Sequence, residues 1–409
     1  PISIPTAAGL TCLLFVSFLC FFAARWYIKT YGDLGFDSIL YTVFSDLGGV
    51  QAGLIQSFCL KALVPALLCT VLGGTVLFLL RGRKLQRRLT RATAFCLSLL
   101  MLAQAAFSTG LPEYVYGMFN ESQVFDQYYV QPTAENVKFP QEKRNLIYIM
   151  LESMETSYQD TSLGGALEYN LIPELTQLAQ NNINFSNNDT VGGFREVTGT
   201  SWTIGAMVGH TAGVPLKVPS GIADWQNGYG KEGEFLPGVT SLTSILQAQG
   251  YYQALMVGSD ASFGGRKTYF ETHGIDKIYD LLTAWYDGTV DYGYWNDWWG
   301  FEDQILFEYA KQELTAISQK DQPFAFTLLT VDTHHIGGYR CQLCGSDYEE
   351  SYENAIACSS RQVYAFVEWI MAQPFYENTT IVITGDHCSM DRGYFSRNVD
   401  DGYERHIYN

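Results

Sequence analysis

The hydrophobic pattern changes character once, near residue 140. Before that point apolar residues come in long stretches. Segments 5–24 and 93–111 carry no charge, and 59–80 carries only Lys61, near its start. Each is about 20 residues, enough to cross ~30 Å of hydrocarbon, and none shows the polar face of a soluble surface helix. They predict a multi-pass transmembrane region over 1–111, with spans at about 5–24, 59–80 and 93–111. Segment 112–140 lacks strong periodicity and reads as a linker. From 141 to 409 the unit is shorter. Apolar runs of strand length (Asn145–Leu151, 251–257, 324–331 and 379–384) alternate with helical patterns at 172–179, 241–249, 303–318 and 359–372. Buried runs alternating with amphipathic helices predict an α/β domain: a mostly parallel sheet with helices on both faces. Ligands of such sheets bind beyond the carboxyl ends of the strands.

Charge divides the chain at the same place. Of 25 Lys and Arg and 42 Asp and Glu, nine and three fall in 1–111, leaving that region at +6 and the remainder at −23. An acidic second region without a basic stripe excludes nucleic acid as a partner. Arg81, Arg83, Lys84, Arg87, Arg88 and Arg91 lie between the second and third spans. Basic residues stay on the cytoplasmic side, so 28–54 forms an external loop and the domain after the third span lies outside. Arg25 and Lys29 run against this, two against six. The expected location is the cell (inner) membrane, with an extracytoplasmic or periplasmic catalytic domain. The sequence starts at Pro1 and stops at Asn409 in mid-pattern. It reads as a fragment without a signal peptide, C-terminally truncated, with room for further spans ahead of it. Cys341, Cys344 and Cys358 fall in the outer domain, where a disulfide from Cys341 or Cys344 to Cys358 is expected.

Several polar residues stand where the strands end. Glu152 follows the first run, and Asp386 and His387 follow the last after one Gly. Two carboxylates and an imidazole suit a divalent cation, although each alone also fits a solvated loop. Thr200 stands in a run of Gly and small hydroxyl residues ahead of a predicted helix. There the free N–H groups favour a phosphoryl anion, and an ordinary N-cap is the plainer reading. Thr198, Ser201 and Thr203 compete on the same grounds. Asp332-Thr333-His334-His335 follows the third run, and Arg266 follows two glycines. A planar guanidinium there can clamp a phosphate or simply make a surface ion pair. The aromatic segment 291–303 reads as a packed loop before a helix capped near Glu302 or Asp303, or as a substrate platform.

Together these pieces resemble the lipoteichoic acid synthase and phosphoglycerol transferase family. The resemblance rests on NLIYIMLESMETSY (145–158), TGTSWTIGAMV (198–208), GVPL (213–216), SILQAQGYYQALMVGSD (244–260), FGGRKTYFETHGID (263–276), NDWWGFEDQ (296–304), FTLLTVDTHH (326–335) and TIVITGDH (380–387), in that order. Within the family, THH, NDWWGF and the 357–359 context are most similar to the phosphoglycerol transferase I branch, which acts on periplasmic glucans. The resemblance implies an alkaline-phosphatase/sulfatase-like fold with one Mn²⁺ (Mg²⁺ or Zn²⁺ in its place) held by Glu152, Thr200, Asp386 and His387. Thr200 would also be the nucleophile, with Arg266 and His334 binding the glycerophosphate group. It further implies phosphatidylglycerol as donor, a membrane setting, and a glucan, polyglycerophosphate or glycolipid acceptor. Two positions depart from the pattern. Gly264 stands where lipoteichoic acid synthases have Trp, so that an aromatic surface comes from Phe263 or Trp298 or is missing, and Ile336 stands where relatives commonly have Pro. Rival readings are a phosphoethanolamine transferase, a sulfatase, a phosphodiesterase or a non-catalytic membrane sensor. Thr200 cannot become the formylglycine a sulfatase needs, and six His in the whole chain favour a single metal.

Overall fold

The computed structural model describes residues 4–32, 35–44, 52–80, 82, 84–120, 123–133, 135–186, 190–216, 233–294 and 300–409. The chain divides into two compact units, 1–39 with 50–123 and 40–49 with 124–409. In the first, three helical stretches are long and apolar enough to cross a membrane: Ala8–Tyr31, Gly53–Leu79 and Lys84–Ser108. The middle one contains a π-helical turn at Cys59–Leu63. Its large side chains point outward, with Leu72 67% and Leu79 70% exposed, whereas Ala62 and Ala66 are buried. Small residues at the helix contact and bulky ones outside is the arrangement expected in lipid. The third helix starts at Lys84, earlier than the apolar pattern predicts, because Lys, Arg and Gln sustain a helix without contributing to that pattern. Arg81, Arg83 and residues 45–51 of the expected external loop lie outside the described residues. The expected linker is not irregular throughout. It carries helices Leu111–Phe119 and Val124–Tyr128, the first opened by a Pro in its first turn.

The second unit is built on a five-stranded parallel sheet. In chain order the strands of this unit are β1 (Asn145–Leu151), β2 (Gly193–Phe194), β3 (Tyr252–Val257), β4 (Lys277–Tyr279), β5 (Phe324–Leu329), β6 (Thr379–Gly385) and β7 (Ile407–Tyr408). The large sheet runs β4-β3-β5-β1-β6, and β2 pairs antiparallel with β7. Alternation along β1 shows how both faces are covered. Ile147, Ile149 and Leu151 enter a core with Leu306, Leu314, Ile356 and Phe366 of helices Asp303–Ile317 and Ser351–Met371. Tyr148 and Met150 enter another, with Met207 and Val208 of helix Thr203–Ala212 and Phe270 of helix Arg266–Thr272. This is the predicted sheet with helices on both faces.

Two boundaries differ from the pattern for identifiable reasons, and the cap expected near Glu302 or Asp303 falls on one of the two. Strand β5 ends short of Val331 because, past a last bond from Thr330 N–H to Met150 O, Val331 and Asp332 N–H donate to the Asp303 carboxylate, at 2.7 and 3.2 Å. Glu302, not Asp303, is the N-cap of that helix, and its side chain makes no capping bond. The helix predicted over 359–372 begins at Ser351, since its first turns bury Tyr352, Glu353 and Asn354 and therefore lack an apolar signature. Strand β4 has three residues, two of them polar or half-exposed, too short for a pattern to reveal.

Candidate metal centre

Parallel pairing brings the carboxyl ends of β1, β3, β5 and β6 to one side, and register fixes what meets there. Leu151 pairs with Gly385, so Glu152 and Asp386 leave their strands at the same level. Both are buried, as is His387. Ser153 adopts a positive φ of 54°, a conformation that costs a side-chain-bearing residue energy. Its N–H donates to Asp386 Oδ1 at 2.8 Å and its hydroxyl to Glu152 Oε1 at 2.8 Å. Thr330 Oγ1 accepts from Glu152 N at 2.9 Å.

The ring of His387 is oriented by its far nitrogen. Nδ1 lies 2.8 Å from Cys388 O, so Nδ1 carries the hydrogen and Nε2 presents a lone pair. Nε2 stands 3.4 Å from Asp386 Oδ2 and 3.6 Å from Glu152 Oε1. Asp386 Oδ2 and His387 Nε2 have no hydrogen-bond partner. One ligand atom from each of the three residues lies within 4.8 Å of the others. Ligands held at ~2.1 Å around one ion stand ~3.0–3.4 Å apart, so the set fits a single divalent cation. Burial pushes Glu152 up to about 8, the Asp386 charge adding to it, and burial pushes Asp386 up to about 7. Two enclosed carboxyl groups facing a ring lone pair are costly without a positive charge between them.

The hydroxyl residues divide. Helix Thr203–Ala212 is capped by Trp202, so Thr200 precedes the helix by a turn. Its hydroxyl donates to Val197 O at 2.8 Å. Thr203, not Thr200, places its hydroxyl against Glu152, 3.5 Å from Oε2, opposite the Ser153 hydroxyl on Oε1. At the end of the same helix, His210 spans Tyr148 Oη (3.1 Å) and Asp386 O (3.4 Å), and burial lowers its pKa. Sequence reasoning missed His210 because it sits inside a helix rather than after a strand. The available signal was its spacing of seven from Thr203, two turns along one helical face.

Arg266 and His334 reach the same end of the sheet. Gly264 and Gly265 have φ of 66° and 76°, and this left-handed pair turns the chain into helix Arg266–Thr272. A Trp at 264 would be strained there. Of the two aromatic candidates, Phe263 has its ring 5.9 Å from the Arg266 guanidinium; Trp298 lies outside the described residues. Arg266 is buried and donates to Ser259 Oγ (3.0 Å) and Asp260 O (2.6 Å). His334 stacks on His335 with centroids 4.5 Å apart. Its pKa is held well below the usual value by burial first, then by His335, with His387 and Arg266 contributing.

A buried ion pair supports the loop after β6. Glu155 is fully buried and pairs with Arg405 through both its oxygens. It also accepts from Ser389 N at 2.9 Å. Removing one member strands the other charge, which costs ~3–5 kcal/mol. Arg405→Ala strands the fully buried Glu155 and should lower the unfolding free energy by about that amount in denaturant titration, with Glu155→Ala, which strands the half-buried Arg405, costing less.

Residues 144–406 match the sulfatase family profile. The chain belongs to the sulfatase family. Among curated proteins, this sulfatase-family chain is 30% identical over 376 residues to proteins named phosphoglycerol transferase I from Salmonella paratyphi B and Salmonella newport, covering 88% of its own length and 46% of theirs. It thus spans about half the length of the curated relatives it matches. Among solved structures, the lipoteichoic acid synthase LtaP from Listeria monocytogenes superposes with TM-score 0.51 at 20% identity, covering 70% of each chain. Lipooligosaccharide phosphoethanolamine transferase A (EptA) from Neisseria meningitidis, an integral membrane protein, gives 0.53 at 12% identity, covering 100% of this chain and 77% of its own. At these identities the superpositions establish the shared fold.

Proposed function

We propose that this sulfatase-family protein is a membrane-anchored, metal-dependent phosphoglycerol transferase, with its catalytic unit outside the cytoplasm. The observation that carries the reading is the buried Glu152, Asp386 and His387 set, in which Asp386 Oδ2 and His387 Nε2 lack partners. The relatives named phosphoglycerol transferase I support glycerophosphate as the group transferred. Phosphatidylglycerol is the donor, and a glucan, polyglycerophosphate or glycolipid hydroxyl is the acceptor. The apolar helices keep the catalytic unit beside a lipid that does not leave the bilayer, so an acidic domain needs no electrostatic attraction to the membrane.

Glu152, Asp386, His387 and the Thr200 hydroxyl would hold Mn²⁺, or Mg²⁺ or Zn²⁺ in its place. When bound, the ion supplies Lewis acidity that eases ionisation of a hydroxyl and offsets phosphoryl charge. Thr200 Oγ1 forms a bond to phosphorus as the bond to the diacylglycerol oxygen breaks. His334, kept neutral by burial, takes the Thr200 proton and returns it to the departing oxygen. Arg266 orients the phosphoryl oxygens. The acceptor hydroxyl then attacks phosphorus in the glycerophospho-Thr200 intermediate, and Thr200 regains its proton.

The test is release of diacylglycerol from fluorescent phosphatidylglycerol by the purified chain in detergent, with Mn²⁺ and after chelation. Mn²⁺-dependent release supports the reading. Release from phosphatidylethanolamine alone would favour the phosphoethanolamine transferase reading, which the full-length likeness to EptA keeps in view.

A further inference from the structure

Three cysteines outside the metal centre form a second cluster. Cys341 Sγ lies 3.7 Å from Cys344 Sγ and 3.8 Å from Cys358 Sγ. All are free thiols; Cys341 and Cys358 are buried and Cys344 is half-buried. Cys341 and Cys344 lie in the segment that continues from His334. Cys358 lies on helix Ser351–Met371. The Gln362 amide, one turn after Cys358, donates to the sulfurs of both Cys341 and Cys358, at 3.7 and 3.4 Å.

The segment already rests on that helix. Tyr339 N–H donates to Asp332 O at 2.7 Å. A Cβ at Gly338 would stand 2.7 Å from that of Ala355. Bond formation therefore asks for rotation of side chains, bringing the sulfurs to the ~2.05 Å of a disulfide, with little backbone rearrangement. A structural zinc site takes four ligands, and this cluster offers three.

We propose that Cys341 and Cys358 form a disulfide that clamps the His334 segment to helix Ser351–Met371, with Cys344 as the thiol through which the bond is made. The proposal rests on the extracytoplasmic placement above, since disulfides persist in oxidising compartments. The oxidant is a solution disulfide, RSSR. Half-buried Cys344 attacks it and one RSH leaves. Cys341 attacks the Cys344 sulfur and the second RSH leaves. Cys358 then attacks Cys341, breaking the Cys341–Cys344 bond and returning Cys344 to the thiol. Two electrons and two protons pass to RSSR, giving two RSH. Hydrogen bonds from Cys344 and Cys358 hold the Cys341 thiol well below its usual pKa, as suits the central nucleophile. A Cys341–Cys344 bond would fasten the segment only to itself, whereas Cys341–Cys358 joins loop to helix.

The test is peptide mapping of the full chain, purified in detergent without reductant and alkylated, alongside metal analysis. The expected result is a Cys341–Cys358 linked peptide with Cys344 alkylated. Cys344→Ser should keep the link after slower oxidation, and Cys358→Ser should divert it to Cys341–Cys344. Reduction should lower Tm by on the order of 5–10 °C. A wild-type Cys341–Cys344 bond, three alkylated thiols, one Zn²⁺ per chain with all three reduced, or an unchanged Tm on reduction would overturn the proposal. Diacylglycerol release measured in parallel separates the readings. A linked but inactive protein refutes the transferase, and an active protein without the link refutes the clamp.

Discussion

Thr200→Ala is expected to abolish diacylglycerol release, by about three orders of magnitude or more, while the protein folds and binds Mn²⁺ with moderate loss. The size follows from what is removed. Ala at 200 leaves no oxygen to attack phosphorus, and the other members of the centre cannot substitute when the residues act as a unit. The fold should tolerate the change. Thr200 is half-buried, and its hydroxyl bonds only within its own turn, donating to Val197 O and accepting from the exposed Val197 N–H. Thr200→Ser keeps the oxygen and should retain measurable release. Thr203→Ala is the needed comparison, since Thr203 places its hydroxyl 3.5 Å from Glu152 Oε2. It should lower metal affinity more than it lowers turnover at saturating Mn²⁺. Initial rates against Mn²⁺ concentration for the three variants check this set.

The second large effect is on the metal. Asp386→Asn should weaken Mn²⁺ binding by about two orders of magnitude or more, and should make the metal-free protein more stable than metal-free wild type. The opposite signs have one cause. Asp386 Oδ1 accepts from Ser153 N and His387 N, and an Asn carbonyl keeps both bonds. At the other position an amide N–H₂ replaces the partnerless Oδ2, removes a buried charge and can donate to His387 Nε2. Wild type saturated to a hundredfold over Kd should gain ~2.7 kcal/mol from Mn²⁺, and the variant close to none. Thermal melts with Mn²⁺ and with chelator read both effects. Equal Mn²⁺ stabilisation of the two proteins would remove Asp386 from the ligand set.

Much of this was legible in the sequence because its largest signals are periodic. Asn145–Leu151 and Thr379–Thr384 were readable as strands from their apolar runs, so their exits at Glu152 and, one Gly later, Asp386-His387 were readable too. The unread parts are set by long-range polar contacts, which leave no period. Asp303 ends β5 by capturing two amides from 28 and 29 residues away. His210 reaches Asp386 O across 176 residues. Glu155 carries no periodic signal, and its importance comes from Arg405, 250 residues later. Burial also hides signals, as in the first turns of helix Ser351–Met371, whose polar side chains are enclosed by the fold rather than exposed.

The central claim is that phosphoryl transfer passes through Thr200. The most direct measurement is to incubate the full chain with phosphatidylglycerol and Mn²⁺, without acceptor, quench in acid and map peptides by mass spectrometry. A glycerophosphate group on Thr200, lost when an acceptor is added and absent after chelation, is the predicted result. Turnover with no adduct, or an adduct on Thr203 while Thr200→Ala stays active, would contradict the account.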